Sequence, residues 1–207
     1  MTEMASIDLA HLLATLGARA WPFQSHSRAR VAAGLALTIY AGHTRDQGTP
    51  YLHHPLAVVT ILRSELGVTL PETLLVGLLH DALEVDPGSE SLVVHQLGEV
   101  FAARLRAMTP DHRLARRPKE PGDEIRWRMK TAALPAEDLL VRLADRVHNL
   151  RDLAASPNSE RRSKFIRNLA DFHLPLAEAA RPLSPQLATA HALLHHEYVR
   201  HQQEVRP

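Results

Sequence analysis

The stretch LLVGLLHDALE, residues 74–84, sets an imidazole and two carboxylates inside an apolar run. On a continuous helix Gly77, His80, Asp81 and Glu84 fall at i, i+3, i+4 and i+7, so one face carries all three ionisable groups beside a position without a side chain. Burying such groups among leucines is costly unless each finds a partner. Two arrangements meet that requirement. Either His80 and Asp81 form a hydrogen-bonded core pair, with Glu84 in solvent and Gly77 admitting a neighbouring helix, or a divalent cation satisfies His80 and Asp81 together.

Ligands of the same kind occur elsewhere. His54 stands where the loop HTRDQGTPYLHHP gives way to a helix that Pro55 can start, and Asp145 lies in AEDLLVRLADRVHNLRDL, one turn before Asn149. Two imidazoles and two carboxylates suit Mn²⁺, Fe²⁺ or Zn²⁺ and leave positions for water and a phosphate oxygen. Periodicity alone does not select these four residues. His191 and His195 are also spaced i, i+4, but no carboxylate motif accompanies them, so they read as an exposed polar face.

The composition bounds the rest. A chain of 207 residues with 45% hydrophobic content can bury one core, and 24 basic against 23 acidic residues leave a net charge of +1. That balance gives no global attraction to nucleic acid or to an anionic membrane. The absence of Cys excludes thiolate metal sites, disulfides and cysteine nucleophiles, so a metal must sit on His and carboxylates. No apolar run is long enough to span a bilayer, and the first residues lack a signal-peptide pattern, which predicts a soluble, cytoplasmic protein.

The elements that must position these residues read as helices throughout. Residues 6–16 form a short helix opened by Ser6 or Asp8, with Trp21 and Phe23 packing it down, and residues 27–42 form the next. The third continues to about Leu66; Thr69 and Glu72 then flank Pro71 as a capping box before one continuous helix carries residues 74–84. SLVVHQL and EVFAARLRAM are joined near Gly98, and residues 109–123 read as a mobile, solvated loop with Arg113, Arg116, Arg117 and Lys119. Helices at 124–134, 136–153, 158–181 and 184–204 complete an all-α bundle of about eight to ten helices. One domain is expected over residues 1–207, with a core at about 28–180 and a C-terminal helical extension at about 183–207.

AGHTRDQGTPYLHHPLAVVTIL, GLLHDALE and VRLADRVHNLRDL together resemble the HD-domain metal-dependent phosphohydrolases. Within them the chain is similar to the hydrolase domain of RelA/SpoT proteins and the small alarmone hydrolases, from about residue 28 to about residue 180, and its length favours the stand-alone form. The resemblance implies His54, His80, Asp81 and Asp145 as ligands of a metal, usually Mn²⁺. It also implies Glu84 as the group that orients or deprotonates the attacking water, Asn149 as a polar residue near metal and substrate, and Arg45 at the nucleotide pocket. The implied reaction removes pyrophosphate from the 3′ position of a guanosine 5′,3′-polyphosphate. The expected partner is thus a small nucleotide, with neither nucleic acid nor membrane; homo-oligomerisation stays open.

Two positions depart from that pattern. Val85 stands where a second acidic residue usually follows Glu84, and Asp46 follows Arg45 where Lys is common. Pro87 disfavours helical geometry at Asp86, so unwinding is expected there, with Asp86 at the pocket rim contacting substrate or solvent and Glu84 alone positioning the water. The alternatives are an adenosine alarmone or another 3′-phosphorylated nucleotide as substrate, or a catalytically silent nucleotide-binding or antitoxin-like protein.

Overall fold

The computed structural model describes residues 7–204, and among them every regular element is helical. The first half runs α1 (Leu9–Leu16), α2 (Phe23–Ile39), α3 (His53–Thr60), α4 (Pro71–Leu79), α5 (Ala82–Val85), α6 (Glu90–Leu97) and α7 (Glu99–Met108). The second runs α8 (Asp111–Leu114), α9 (Asp123–Ala132), α10 (Ala136–Arg151), α11 (Ser159–Asn168), α12 (Leu174–Ala180) and α13 (Pro185–Glu204). The all-α expectation is met. More segments appear than periodicity suggests, because several apolar patterns continue across breaks in the backbone.

The core is built round α4. Every residue from Thr73 to Leu79 is buried, and α2, α3, α7 and α10 all pack against this helix. Its leucines contribute most, at about 1.5–3 kcal/mol for each side chain removed from water. Gly77 serves the packing: a Cβ there would lie 2.6 Å from Leu62 Cδ1, on the segment that continues α3.

The expected continuous helix over residues 74–84 is broken. Helix α4 ends at Leu79 with His80 as its C-cap, Asp81 sits at φ −98° and ψ 1°, and α5 restarts at Ala82. The cause is local. His80 Nδ1 takes the Gly77 carbonyl at 2.8 Å, the acceptor that Asp81 N–H would use in an uninterrupted helix. The unwinding before Pro87 does occur, with Asp86 extended at φ −135° and ψ 91°.

Other local expectations are corrected. Asp8 caps α1 by accepting from His11 N–H at 2.8 Å, whereas Ser6 lies outside the described residues. Phe23 does not pack α1 down; it is 85% exposed at the start of α2, while Trp21 reaches the core edge. No Thr69–Glu72 capping box forms, because Leu70 occupies the cap position and Glu72 binds Arg28 at 2.6 Å instead. Residues 109–123 include the helical turn α8 and are pinned by buried Asp123, which accepts from Arg117 at 2.8 Å and Arg126 at 2.6 Å.

Gly77→Val should lower stability by about 1–3 kcal/mol, because the fully buried Leu62 must shift to admit the added side chain. The measurement is the urea midpoint. An unchanged midpoint would show that the α3–α4 contact tolerates the added volume.

Candidate active site

Three elements bring the ionisable groups together. The loop between α2 and α3 is a tight hairpin, with Arg45 N–H on Thr49 O at 2.9 Å, Gly48 N–H on Arg45 O at 2.9 Å, and Gly48 in the left-handed region at φ 79°. It delivers Arg45 to a cavity wall and Tyr51 and His54 to its floor. The α4–α5 break turns His80 and Asp81 towards the same point, and α10 contributes Asp145 from the opposite side.

His54 Nε2 lies 3.2 Å from His80 Nε2, 3.4 Å from Asp81 Oδ2 and 3.3 Å from Asp145 Oδ1. His80 Nε2 lies 3.4 Å from Asp81 Oδ1 and 3.9 Å from Asp145 Oδ1. His54, His80 and Asp145 are buried. His80 spends its Nδ1 proton on Gly77, so its Nε2 faces the centre as a bare lone pair beside two carboxylates. A ligand shell with bonds of about 2.1 Å sets neighbouring ligand atoms about 3.0–3.4 Å apart, which these separations match or slightly exceed. The donor set therefore fits a divalent cation; His54, His80 and Asp81 also form a compact three-ligand group.

A ring of donors holds the carboxylates. Tyr51 O–H donates to Asp81 Oδ2 at 2.8 Å. Asp145 Oδ2 accepts from Arg142 at 2.8 Å and Arg146 at 2.5 Å, and its Oδ1 accepts from the Asn149 amide. Burial alone would raise both carboxyl pKa values. Arg146, His54 and Arg142 hold Asp145 well below the usual range, and His80 with His54 does the same for Asp81. Burial likewise pushes His54 down, but Asp145 and Asp81 more than offset it and its pKa rises; His80, where burial dominates, falls.

Glu84 and Asn149 also reach the cavity, whose volume is about 160 Å³. Burial and the Asp81 charge push the Glu84 carboxyl up, and Arg113 Nε stands 3.6 Å from it. Asn149 Oδ1 accepts from Arg45 at 2.7 Å while its amide reaches Asp145, so one side chain bridges the two ends of the cavity. Asp86 stays apart: its Oδ1 caps Gly88 N–H at 2.9 Å and faces Arg116 at 3.7 Å, so it meets solvent and Arg116 rather than the cavity interior. An adjoining cavity of about 110 Å³ shares Arg45, Arg146 and Asn149 and adds Leu153 and Phe165. Asp46 and Arg161 form an ion pair across its mouth.

Sequence reasoning missed Tyr51, Arg142, Arg146 and His148. The signal for the arginines was present, since Arg142 stands on the apolar side of α10 three residues before Asp145. The histidines of α13 form no comparable cluster. His191 binds Glu178 at 2.8 Å, and its ring centre is 6.0 Å from that of His195.

An HD domain profile matches residues 32–181. The chain belongs to the HD domain family. It is 31% identical over 158 residues to the bifunctional (p)ppGpp synthase/hydrolase SpoT of Escherichia coli, covering 75% of this chain and 22% of that protein. It is 34% identical over 139 residues to a GTP pyrophosphokinase of Streptomyces coelicolor, covering 67% of this chain and 16% of that one. The chain thus spans about a fifth of the length of these relatives. Among solved structures, a metazoan ortholog of SpoT that hydrolyzes ppGpp superposes with a TM-score of 0.65 at 23% identity, over 87% of this chain and 97% of that one. This likeness supports the HD domain fold.

Arg142 is buried, donates to Asp145 and to Met108 O at 2.5 Å, and lies 4.8 Å over the Trp127 ring. Arg142→Met should therefore destabilise the metal-free protein by about 3 kcal/mol, the scale of a broken buried pair. Arg146→Met should cost clearly less, because that side chain is 21% exposed. Urea unfolding of both variants checks the order, and equal losses would show that burial does not set it.

Proposed function

We propose that this chain is a metal-dependent nucleotide hydrolase that removes pyrophosphate from the 3′ position of guanosine 5′,3′-polyphosphates, with His54, His80, Asp81 and Asp145 holding one divalent cation, Mn²⁺ by preference. The observation that carries this reading is the gathering of His80 Nε2, Asp81 Oδ2 and Asp145 Oδ1 within 3.4 Å of His54 Nε2, beside a cavity lined by a raised carboxyl, Glu84, and by Arg45. The names of the relatives supply the substrate class, and the HD domain match supplies the hydrolytic half of those names. Bound there, the cation supplies charge against phosphoryl oxygens and acidifies water towards neutral pH.

The chain's own groups do the rest. Glu84, whose carboxyl is pushed up by burial and by Asp81, orients the attacking water and accepts its proton. Arg45 offsets phosphate charge as a planar cation already oriented by Asn149, and Asn149 links that contact to Asp145. Leu153 and Phe165 give the base an apolar surface beside Arg45. Val85 leaves Glu84 without a second acidic residue directly after it, and Asp86, already engaged as a cap, takes no part in turnover.

Purified Mn²⁺-loaded protein should release pyrophosphate from guanosine 5′,3′-polyphosphates faster than from adenosine counterparts. Asp81→Ala should lose metal and activity together. Faster adenosine turnover would move the substrate class, and stoichiometric metal retained by Asp81→Ala would overturn the ligand set. A nucleotide bound without any product would identify a silent binding protein.

Glu84→Gln should lower kcat by roughly a hundredfold or more, the scale of a general base, while Asp86→Asn leaves it within a few-fold. Equal damage from both would show that the segment after α5 folds inwards during turnover.

A further inference from the structure

His148 lies on α10 between Asp145 and Asn149, and its Nδ1 stands 2.9 Å from Nδ1 of His54. Two imidazole nitrogens at that distance share one proton, so one ring donates and the other accepts. The surroundings decide which. His80 already gives its Nδ1 proton to Gly77 and turns a bare Nε2 to the centre. For His54 Nε2 to offer a lone pair to the same point, 3.2 Å from His80 Nε2 and 3.3 Å from Asp145 Oδ1, the proton of neutral His54 must sit on Nδ1. His148 is then the acceptor. Its own proton belongs on Nε2, the nitrogen that is neither bonded within the protein nor buried away from water.

We infer that His148 is a positioning residue for the cation site: by accepting the Nδ1 proton of His54 it fixes the tautomer and the ring plane that aim Nε2 at the metal. The inference rests on the metal centre argued under Proposed function and extends it beyond the four ligands. The ring centres lie 4.8 Å apart and tilted by 53°, which keeps the hydrogen bond edge-on rather than stacked. A neutral acceptor here has a particular consequence. It orients His54 as a carboxylate would, yet adds no third negative charge beside Asp81 and Asp145. Placement on α10 ties this support to a ligand, because Asp145 and His148 are i, i+3 neighbours on one helix face.

The probe is Zn²⁺ alone, titrated against a chromophoric chelator, so that neither substrate nor turnover enters. His148→Phe keeps a ring but removes the acceptor, and should weaken Zn²⁺ binding about 10–100-fold, the usual scale for loss of a group that orients a metal ligand. His148→Asn places an amide oxygen near the former Nδ1 and should recover most of that loss, a rescue that general damage to packing would not give. In the Zn²⁺-loaded wild type, long-range ¹⁵N–¹H correlations should show His148 protonated on Nε2 and bare on Nδ1. Undiminished Zn²⁺ affinity in His148→Phe, or a proton on His148 Nδ1, would overturn the inference. If His148→Phe fails to fold, the Asn variant and the wild-type spectrum decide. If the wild type takes up no Zn²⁺ or Mn²⁺, the metal centre itself falls, and the same correlation in metal-free protein still decides between donor and acceptor.

Discussion

His54 Nε2 has three electron-rich atoms within 3.2–3.4 Å of it, His80 Nε2, Asp81 Oδ2 and Asp145 Oδ1, inside an apolar helical bundle. Nothing in that set attracts the rest unless positive charge enters, either as protons or as a cation. The low dielectric that makes leucine burial favourable makes this convergence costly, since desolvating each carboxylate takes several kcal/mol before any partner is counted. The architecture around the site answers that cost. Tyr51 holds Asp81, and Arg142, Arg146 and Asn149 hold Asp145. His148 backs His54, and the Gly77 carbonyl fixes His80.

These same requirements shape the backbone. A regular helix through residues 74–84 would place Asp81 about 100° round from His80 on one broad face, whereas here the backbone bends at Asp81 and both side chains reach His54. The bend is made by His80 itself, which diverts the Gly77 carbonyl and frees Asp81 to adopt a non-helical conformation. Gly77 thus has two roles, a close approach to Leu62 through its missing Cβ and an acceptor for the neighbouring imidazole.

The sequence was most legible where chemistry and spacing coincide on a short segment. His54, Asp81, Asp145, Glu84 and Asn149 all line one cavity, His80 touches His54 and Asp81 beside it, and the helical class follows from apolar periods of three and four. The α4–α5 break was not legible, because the apolar pattern runs straight through it and the diverted carbonyl leaves no mark in a hydrophobicity profile. His148 was hidden for a different reason. In a helix rich in charge it looks like a solvated residue, and its role arises only once α3 and α10 are packed together. Phe23 shows the opposite failure: an aromatic side chain suggests burial, but its place at the first turn of α2 points it away from the core. Thr69 and Glu72 satisfied a capping pattern that lost to the stronger, charge-assisted pair of Glu72 with Arg28.

Asp46 can be understood through the same balance of charge. It occupies the position where the resemblance leads one to expect Lys, and it binds Arg161 of α11, which faces Arg45 across the adjoining cavity. The loop thus carries an anion where the resemblance leads one to expect a cation, and a cation stands opposite it on α11. Each guanidinium lining this cavity is matched by a carboxylate: Arg161 by Asp46, Arg45 by Asp152 at 3.3 Å, and Arg146 by Asp145. In the reading proposed above, a polyphosphate entering the cavity must compete with those carboxylates for the arginines, because the charge and the N–H groups that each carboxylate holds are the ones a phosphate would take. An anion carrying little charge gains too little from that exchange, whereas one with phosphates at two positions can engage Arg45 and the cation site together. The cavity's own ion pairs then act as a threshold on substrate charge, which is a route to selectivity that needs no contact with the base.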